Sequence, residues 1–278
     1  MPSAQTILIT GVSSGIGLAS AQYFAQQGWN VIATARNPAA ATELMALPNV
    51  LLTRLDVQES ASIAAAVAEG LARFGQIDVL LNNAGYGLFG IFESTPQEQV
   101  LAQFQVNVFG VMDVTRAVLP HFRQQKHGQI INVSSGAGFF TLPLLSLYCA
   151  SKFALEGFTE ALAFEMAAIN VKVKLIEPHG GVSSTRFSDR SGAEAQQAAE
   201  IADYAHFVDT TQALSGKMRG AKMMPASDVA AAIYAAATDN SDQLRYLVGD
   251  DKRGLVAARR GETEAGYMRY LHQHFMPG

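Results

Sequence analysis

The chain of 278 residues is short of cysteine, of charged residues and of long apolar runs. Its one cysteine, Cys149, cannot form an intrachain disulfide, so the sequence gives no sign of an oxidising compartment. No segment reaches the roughly 18 consecutive uncharged apolar residues that a membrane-spanning helix needs. We therefore expect a soluble, cytoplasmic protein that does not contact a membrane.

The charge balance argues against a nucleic-acid partner, and the positions of the histidines argue against a metal site. Lys and Arg total 20 and Asp and Glu total 24, which gives a formal net charge of -4. A nucleic-acid partner would need an excess of cations opposite its phosphates, so we expect none. His272 and His274 have no third ligand near them in the sequence, so we expect no metal site. A small-molecule partner is the remaining prediction.

Apolar residues make up 49% of the chain, in short runs that alternate with longer amphipathic stretches. This alternation is typical of a parallel sheet covered by helices. We predict a single α/β domain over residues 1–278, a doubly wound Rossmann fold whose seven-stranded parallel sheet has helices on both faces. The predicted strands are residues 6–10, 30–35, 50–55, 77–81, 129–133, 171–177 and 244–248. The predicted helices are residues 16–27, 60–74, 97–123 and 148–169.

Two segments fall outside this alternation. Residues 183–225 are polar, have no strand signal and are too long for an ordinary connection, so we predict that they form a lid over the substrate. Residues 250–278 are predicted to be a C-terminal extension. Ligands of doubly wound folds bind beyond the carboxyl ends of the strands, so the loops at those ends are the expected place for the chemistry.

The first of these loops reads TGVSSGIG over residues 10–17 and leads into a predicted helix. Glycines here let the backbone turn tightly and approach a pyrophosphate, whose charge is met by free N–H groups and the helix dipole. The alternative is a plain strand-to-helix turn. The predicted cofactor contacts in this loop are Gly11, Ser13, Ser14, Gly15, Ile16 and Gly17.

The end of the second predicted strand, ATARN over residues 33–37, indicates which dinucleotide binds. In Rossmann units that bind NAD an acidic residue here takes the ribose 2'-hydroxyl, whereas an arginine accommodates the 2'-phosphate of NADP. The acid is missing, and Arg36 can pair with a phosphate through its planar fork. NADP(H) is therefore the predicted cofactor. The alternative is that Arg36 is an ordinary surface arginine.

Tyr148 and Lys152 are four residues apart at the start of a predicted helix, so both project from one face. A free phenol has a pKa of about 10, too high for acid–base catalysis near neutrality, and a neighbouring ammonium lowers it. Ser135 ends the fifth predicted strand thirteen positions before Tyr148, and Asn107 lies in the preceding helix. Together these residues favour a catalytic site over a chance pair.

In these residues the chain resembles the short-chain dehydrogenase/reductase family, over residues 6–177 and more weakly near its C-terminus. Besides the glycine turn, Tyr148 and Lys152, the resemblance rests on Asp56-Val57, Asn82-Asn83-Ala84-Gly85, Asn107 and Val133-Ser134-Ser135. The segments YCASKFALEG, residues 148–157, and RYLV, residues 245–248, are similar to the branch that acts on steroids and retinoids. That similarity is a hint of a lipophilic substrate.

The resemblance implies a role for four catalytic residues. Tyr148 donates a proton to the carbonyl oxygen, and Lys152 holds the nicotinamide ribose and depresses the pKa of the tyrosine. Ser135 hydrogen-bonds the carbonyl, and Asn107 positions a water in a proton relay. Donors aimed at a developing alkoxide stabilise the transition state more than the ground state.

The resemblance also implies further cofactor contacts, which are Asp56, Val57, Asn83, Ala84, Gly85, Pro178, Gly181 and Thr185. The alternatives are a helix cap at Asp56 and a simple turn after the fourth strand. The family usually has Pro-Gly and, four residues beyond the Gly, a Thr. Here both Gly181 to Thr185 and Gly180 to Ser184 keep that step, so two registers stay open. His179 is expected to be solvated.

These observations predict NADPH-dependent reduction of a ketone or aldehyde to the alcohol. The alternatives are an NAD-linked alcohol dehydrogenase working in the oxidative direction and a non-catalytic nucleotide-sensing protein. The resemblance also implies a homodimer or homotetramer built on the helices 97–123 and 148–169. An apolar pocket for lipophilic or aromatic substrates is predicted from Leu88, Phe89, Phe139, Phe140, Leu142, Leu144, Leu145, Phe187, Tyr204, Phe207, Met218, Met223 and Met224.

Overall fold

In the computed structural model, the chain is described for residues 4–183, 185, 201–219, 223–251 and 254–276. Seven strands form one sheet in the order β3-β2-β1-β4-β5-β6-β7, and each neighbouring pair is parallel. The predicted doubly wound α/β fold is confirmed. The strands are β1 (Thr6–Thr10), β2 (Asn30–Ala35), β3 (Val50–Arg54), β4 (Val79–Asn82), β5 (Gly128–Val133), β6 (Val171–Pro178) and β7 (Arg245–Val248).

The sheet is apolar on both faces because helices cover both. In β1 the side chains of Ile7 and Ile9 enter one core cluster and that of Leu8 enters the other, as the two-residue period of a strand requires. All five residues of β1 are buried. Continuous apolar strands are therefore needed in the middle of this sheet.

Helices flank the sheet and extend beyond it. They are α1 (Gly15–Gln26), α2 (Ser60–Phe74), α3 (Gln97–Phe104), α4 (Gly110–Gln125), α5 (Ser146–Ala167), α6 (Ala205–Arg219), α7 (Ala226–Thr238), α8 (Leu255–Gly261) and α9 (Glu264–Phe275). Phe24 of α1 and Val229 of α7 pack on one face, and Ile63 of α2 and Val114 of α4 pack on the other. Among the described residues no helix is both long and apolar enough to cross a bilayer.

The structure differs from the predicted helix over residues 97–123. That segment consists of α3, a π-helical turn at Gln105–Phe109, and α4, which continues to Gln125. At the turn the backbone N–H of Gly110 bonds to the carbonyl of Gln105, five residues back. Such π-turns inside α-helices are rare, and they are frequent at functional sites.

The two ends of the segment over residues 183–225 are bonded to each other. Val182 forms a bridge with Met224, the N–H of Ser183 donates to the Met224 carbonyl, and the N–H of Met224 donates to the Gly181 carbonyl. Between these ends the described part contains α6. Residues 184, 186–200 and 220–222 of the predicted lid lie outside the described residues.

Candidate active site

A cavity of about 1470 Å³ opens at the carboxyl ends of the strands, where the topology predicts the ligand. Its wall includes every predicted site residue except Gly17 and Asn107, which lie behind it. The residues brought together there are Gly11, Ser13, Ser14, Gly15, Ile16, Arg36, Asp56, Val57, Asn83, Ala84, Gly85, Ser135, Tyr148, Lys152, Pro178, Gly181 and Thr185.

The glycine turn after β1 leaves no room for side chains. Gly11 has a φ of 77°, and a Cβ added to it would lie 2.8 Å from the Cα of Ala84. A Cβ on Gly17 would lie 2.2 Å from the carbonyl oxygen of Gly11. Ser14 precedes α1 without capping it through its side chain, so the first N–H groups of the helix are left for a ligand. The turn is therefore shaped to hold an anion.

Asn83 braces this turn from the neighbouring strand. Its side-chain amide donates to the carbonyls of Thr10, at 2.9 Å, and Gly11, at 3.0 Å. The Thr10 hydroxyl in turn accepts from the backbone N–H groups of Asn83 and Ala84, each at 3.0 Å. The side chain of Asn83 thus fixes the shape of the glycine turn.

Arg36 and Asp56, a basic and an acidic residue that line the cavity, have different surroundings. Arg36 is exposed directly after β2 and lines the cavity. The carboxylate of Asp56 accepts from the backbone N–H of Gln58 at 3.0 Å, so it stabilises the turn that leads to α2. Val57 is buried and packs against Gly110, at the start of α4.

Tyr148 and Ser135 meet at the centre of the cavity. The phenol of Tyr148 is buried and hydrogen-bonded with the Ser135 side chain. Ser135 is held in place because its hydroxyl oxygen accepts from the N–H of Ala137, at 3.1 Å, and so caps the turn Gly136–Gly138. Burial raises the pKa of Tyr148 to about 12, although the bond with Ser135 opposes the increase.

Lys152 lies behind Tyr148 on the same face of α5. Its ammonium donates to the Val133 carbonyl at 2.9 Å and is 5.9 Å from the centre of the Tyr148 ring. Burial lowers the pKa of Lys152 to about 8. The expected lowering of the Tyr148 pKa by this lysine is not seen, because burial of the phenol dominates and the ammonium is bound to the backbone.

Asn107 lies in the π-turn and is buried. Its amide nitrogen donates to the Tyr86 carbonyl, at 2.9 Å, and to the Ser151 hydroxyl, at 3.2 Å, while its oxygen accepts from the Tyr86 N–H. A Cβ on Gly85 would lie 3.2 Å from the Asn107 oxygen and 3.8 Å from the Lys152 ammonium. Asn107 and Lys152 therefore flank the same small gap beside Gly85.

Only some of the residues predicted to form the apolar wall line the cavity. Phe89, Phe140, Leu142, Leu145, Met223 and Met224 line the cavity as expected. Leu144, Tyr204 and Phe207 instead line a separate, smaller cavity, Leu88 is buried, and Phe139 packs against the C-terminal helices. Phe187 and the side chain of Met218 lie outside the described residues.

Three residues that line the cavity were not predicted from the sequence. Leu255 of α8 and Phe275 of α9 close the cavity from the C-terminal segment, which was predicted only as an extension. Thr211 of α6 also lines the cavity, and its hydroxyl is buried with no hydrogen-bond partner among the described residues. Their sequence distance from the motifs explains why pattern reasoning missed them.

Residues 5–196 match the family of short chain dehydrogenases. The chain belongs to this family. Ser135, Tyr148 and Lys152 line the cavity, and Asn107 lies beside Lys152 at Gly85; these four residues are called the tetrad below. The chain is therefore an oxidoreductase of the short-chain dehydrogenase/reductase family.

Curated relatives and a solved structure agree with this assignment. An uncharacterized oxidoreductase of Schizosaccharomyces pombe is 45% identical over 237 residues, 84% of this chain and 96% of the relative. A 3-ketodihydrosphingosine reductase of Bacteroides thetaiotaomicron is 42% identical over 185 residues, 66% of each chain. A short-chain dehydrogenase/reductase of Burkholderia phymatum in complex with NAD superimposes with a TM-score of 0.78 at 25% identity, covering 93% of this chain and 92% of that one.

Within this family the loop after β6 is where the sequence departs from the usual pattern. Thr185 packs against Gly15, with its Cγ2 atom 2.9 Å from the place of an added Cβ, and it lines the cavity. Ser184, in the other register, lies outside the described residues. His179 is half-buried, and its Nδ1 is buried with no hydrogen-bond partner among the described residues, so the expectation of a solvated side chain was wrong.

Proposed function

We propose that the protein reduces a ketone or aldehyde to the alcohol with NADPH, with Tyr148 as the general acid. The observation that carries this proposal is the buried hydrogen bond between Tyr148 and Ser135 in the cavity wall, with the Lys152 ammonium behind it. When bound, the nicotinamide would supply the hydride. Ser135 and Tyr148 would then hydrogen-bond the carbonyl oxygen, and Tyr148 would give it a proton as its negative charge develops.

Reduction is the proposed direction. Burial raises the pKa of Tyr148 to about 12, so at neutral pH the phenol is protonated, as a general acid must be. The relative named as a 3-ketodihydrosphingosine reductase also supports reduction. The second candidate, an NAD-linked alcohol dehydrogenase, is favoured by the relative solved with NAD.

The shape of the glycine turn fits a dinucleotide. Gly11, Gly15 and Gly17 have neighbours so close that an added Cβ would collide with them, so the backbone itself forms the cradle. The uncapped N–H groups at the start of α1 would take the pyrophosphate. Arg36, exposed at the rim of the cavity, would take the 2'-phosphate of NADP(H).

The wall of the cavity supports a lipophilic or aromatic substrate. Phe89, Phe140, Leu142 and Phe275 supply aromatic and aliphatic surface around the tetrad, while Lys152 and the tetrad hydroxyls supply the polar end. We further propose that residues 183–225 act as a lid, since Thr211 and Met223 of this segment line the cavity. We also propose one catalytic domain over residues 1–278.

A homo-oligomer built on the helices α3 to α5 is a further proposal. These helices expose large apolar side chains, of which Phe164 is 79% exposed and Leu101 is 59% exposed. Such side chains are costly in water and suit an interface between copies of one chain. A monomeric mass in solution would contradict this part of the proposal.

Two variants test the proposed acid. Tyr148→Phe removes the hydroxyl but keeps the ring, so we expect a loss of at least about 1000-fold in kcat for aryl ketones. The Kd for NADPH should stay within a few-fold of the wild-type value. Near-normal turnover by this variant would overturn the role of Tyr148.

The choice of cofactor has its own test. The double change Ala35→Asp and Arg36→Ser adds a carboxylate that repels the 2'-phosphate and removes the cation that attracts it. The ratio of kcat/KM for NADPH to that for NADH should fall by more than tenfold. An unchanged ratio would favour the NAD-linked candidate or a different phosphate ligand.

A further inference from the structure

Two carboxyl groups are buried directly behind the tetrad, and the reaction described above does not use them. Glu156 lies on α5 one turn after Lys152, and Glu177 lies on β6, one residue before Pro178. The side chain of Glu177 is 1% exposed and that of Glu156 is 9% exposed. Neither oxygen of Glu177 accepts a hydrogen bond from the described residues, and the same holds for Oε1 of Glu156.

Arg245 on β7 holds the two carboxyl groups together. Its Nε lies 3.1 Å from Glu156 and 3.3 Å from Glu177, while its Nη2 reaches Glu160 at the surface, at 2.6 Å. Arg260 of α8 adds a more distant positive charge that acts on Glu177. The group thus has Lys152, Glu156 and Glu160 from α5, Glu177 from β6, Arg245 from β7 and Arg260 from α8.

Glu156 also packs against the turn that carries Ser135. A Cβ on Gly138 would lie 2.9 Å from Cγ of Glu156, 2.8 Å from the Ser134 hydroxyl and 3.2 Å from the Lys152 carbonyl. Gly138 ends the short helix that Ser135 caps. Glu156 therefore packs between Lys152 and the Ser135 turn.

Two neighbouring buried carboxyl groups do not ionise together readily. Burial raises the pKa of Glu156 as well, and the neighbouring cations Arg245 and Lys152 oppose that increase. Burial, and then the charge of Glu156, raises the pKa of Glu177 to about 7. The two carboxyl groups therefore lose their protons one after the other rather than together.

The charge on Glu156 acts on Lys152. Burial lowers the pKa of the lysine to about 8, and the carboxylate of Glu156 opposes that decrease. Without the carboxylate, a larger share of Lys152 would be neutral under the conditions in which a cell works. A neutral amine would no longer attract the ribose or support the phenol of Tyr148.

We propose that Glu156, buried one helical turn after Lys152 and held by Arg245, is a positioning residue whose carboxylate keeps Lys152 charged. The inference rests on the proposed function for its effect on turnover, but its effect on Lys152 is independent of any reaction.

The first test measures Lys152 itself. Protein with isotope-labelled lysine side chains is titrated by NMR without cofactor or substrate, and the Lys152 signal is identified by its absence in Lys152→Met. In Glu156→Gln we expect the midpoint of Lys152 to fall by about one pH unit. The matched control is Glu160→Gln, which also removes a partner of Arg245 but at a side chain that is 55% exposed, and it should leave the midpoint unchanged.

Two more variants separate charge from structure. Glu156→Asp keeps a carboxylate and should restore at least half of the lost pH unit. Glu177→Gln removes the carboxyl group on β6 and leaves the one on α5, so it should lower the midpoint of Lys152 by less than Glu156→Gln does. An unchanged midpoint in Glu156→Gln, or equal decreases in Glu156→Gln and Glu160→Gln, would overturn the proposal. Should Glu156→Gln fail to fold, a larger decrease in Glu177→Gln than in Glu156→Asp would overturn it, because the charge that acts on Lys152 would then lie on Glu177.

The second test uses activity. The high-pH limb of kcat/KM for ketone reduction should move to lower pH in Glu156→Gln by the amount seen for Lys152, and not in Glu160→Gln. A shift in the NMR titration without any ketone reduction by the wild-type protein would reject the proposed function and leave the role of Glu156 standing. Ketone reduction by the wild-type protein, with the same Lys152 midpoint in the wild type and in Glu156→Gln, would support the proposed function and reject the role of Glu156.

Discussion

The side-chain amide of Asn83 donates a hydrogen bond to the carbonyl oxygen of Gly11 over 3.0 Å, so the end of β4 holds the turn after β1. We expect Asn83→Ala to lower the free energy of unfolding by about 1–2 kcal/mol and to raise the Kd for NADPH at least fivefold, because the turn relaxes. Urea unfolding and fluorescence titration measure the two effects.

The control for this variant is Asn49→Ala. Asn49 also donates two hydrogen bonds to backbone carbonyls, those of Ala25 and Trp29, but it does not line the cavity. It should lose similar stability without a change in Kd. Equal changes of Kd in both variants would show that the effect on the cofactor is only a general loosening of the fold.

Lys152→Met should abolish turnover and yet stabilise the protein without cofactor. Burial lowers the pKa of Lys152 from its ordinary 10.5 to about 8, so the folded state binds the proton less tightly than the unfolded state. Wild-type stability therefore rises between about pH 8 and pH 10.5 and carries the full penalty below pH 8. At pH 7 we expect the variant to be more stable by up to about 3 kcal/mol. A lower stability of the variant at pH 7 would contradict the assignment.

Lys174 and Asp239 form an ion pair that does not line the cavity. This pair allows the cost of burying a charge to be distinguished from the cost of removing its counterion. The ammonium of Lys174 is buried and bonds to the Asp239 carboxylate at 2.5 Å, to the Ala236 carbonyl at 2.8 Å and to the Tyr246 hydroxyl at 2.9 Å. Asp239→Ala leaves this charge without a counterion and should cost about 3 kcal/mol, whereas Lys174→Met should be nearly neutral. Thermal unfolding of both variants tests this, and equal losses would argue against it.

The lid proposal predicts slower hydrogen exchange in α6 when cofactor and a slow substrate are both present. Thr211 of this helix lines the cavity, so a bound substrate would bury more of it. The measurement compares peptides from Ala205–Arg219 with peptides from α2, which lies away from the cavity. Equal protection of α6 in the free enzyme and the ternary complex would end the proposal.

The central strands of the sheet could be predicted from the sequence because they are buried on both faces. The bounds of β1 and β2 agree with the prediction residue for residue, since Thr6–Thr10 and Asn30–Ala35 are apolar runs between turn residues. The cavity could be located as well, because parallel strands bring the loops after β1, β4 and β5 to one edge. Local pattern and topology suffice for both.

Contacts between distant segments could not be predicted in this way. Leu255 and Phe275 reach the cavity only through the packing of α8 and α9, and that packing has no periodic signature near the motifs. The π-turn at Asn107 depends on the hydrogen bonds of its amide to Tyr86 and Ser151. The pKa of Tyr148 depends on burial, which a four-residue spacing does not report.

The bridge between Val182 and Met224 has a consequence for how this chain can vary. The two ends of the segment between them are clamped side by side, so the entropy of closing that loop grows only slowly with its length. Insertions, deletions or an entire replacement of the interior would therefore leave the sheet and the tetrad in register. Because Thr211 and Met223 of this segment line the cavity, we expect changes within it to alter which substrate binds while Ser135, Tyr148 and Lys152 stay in place.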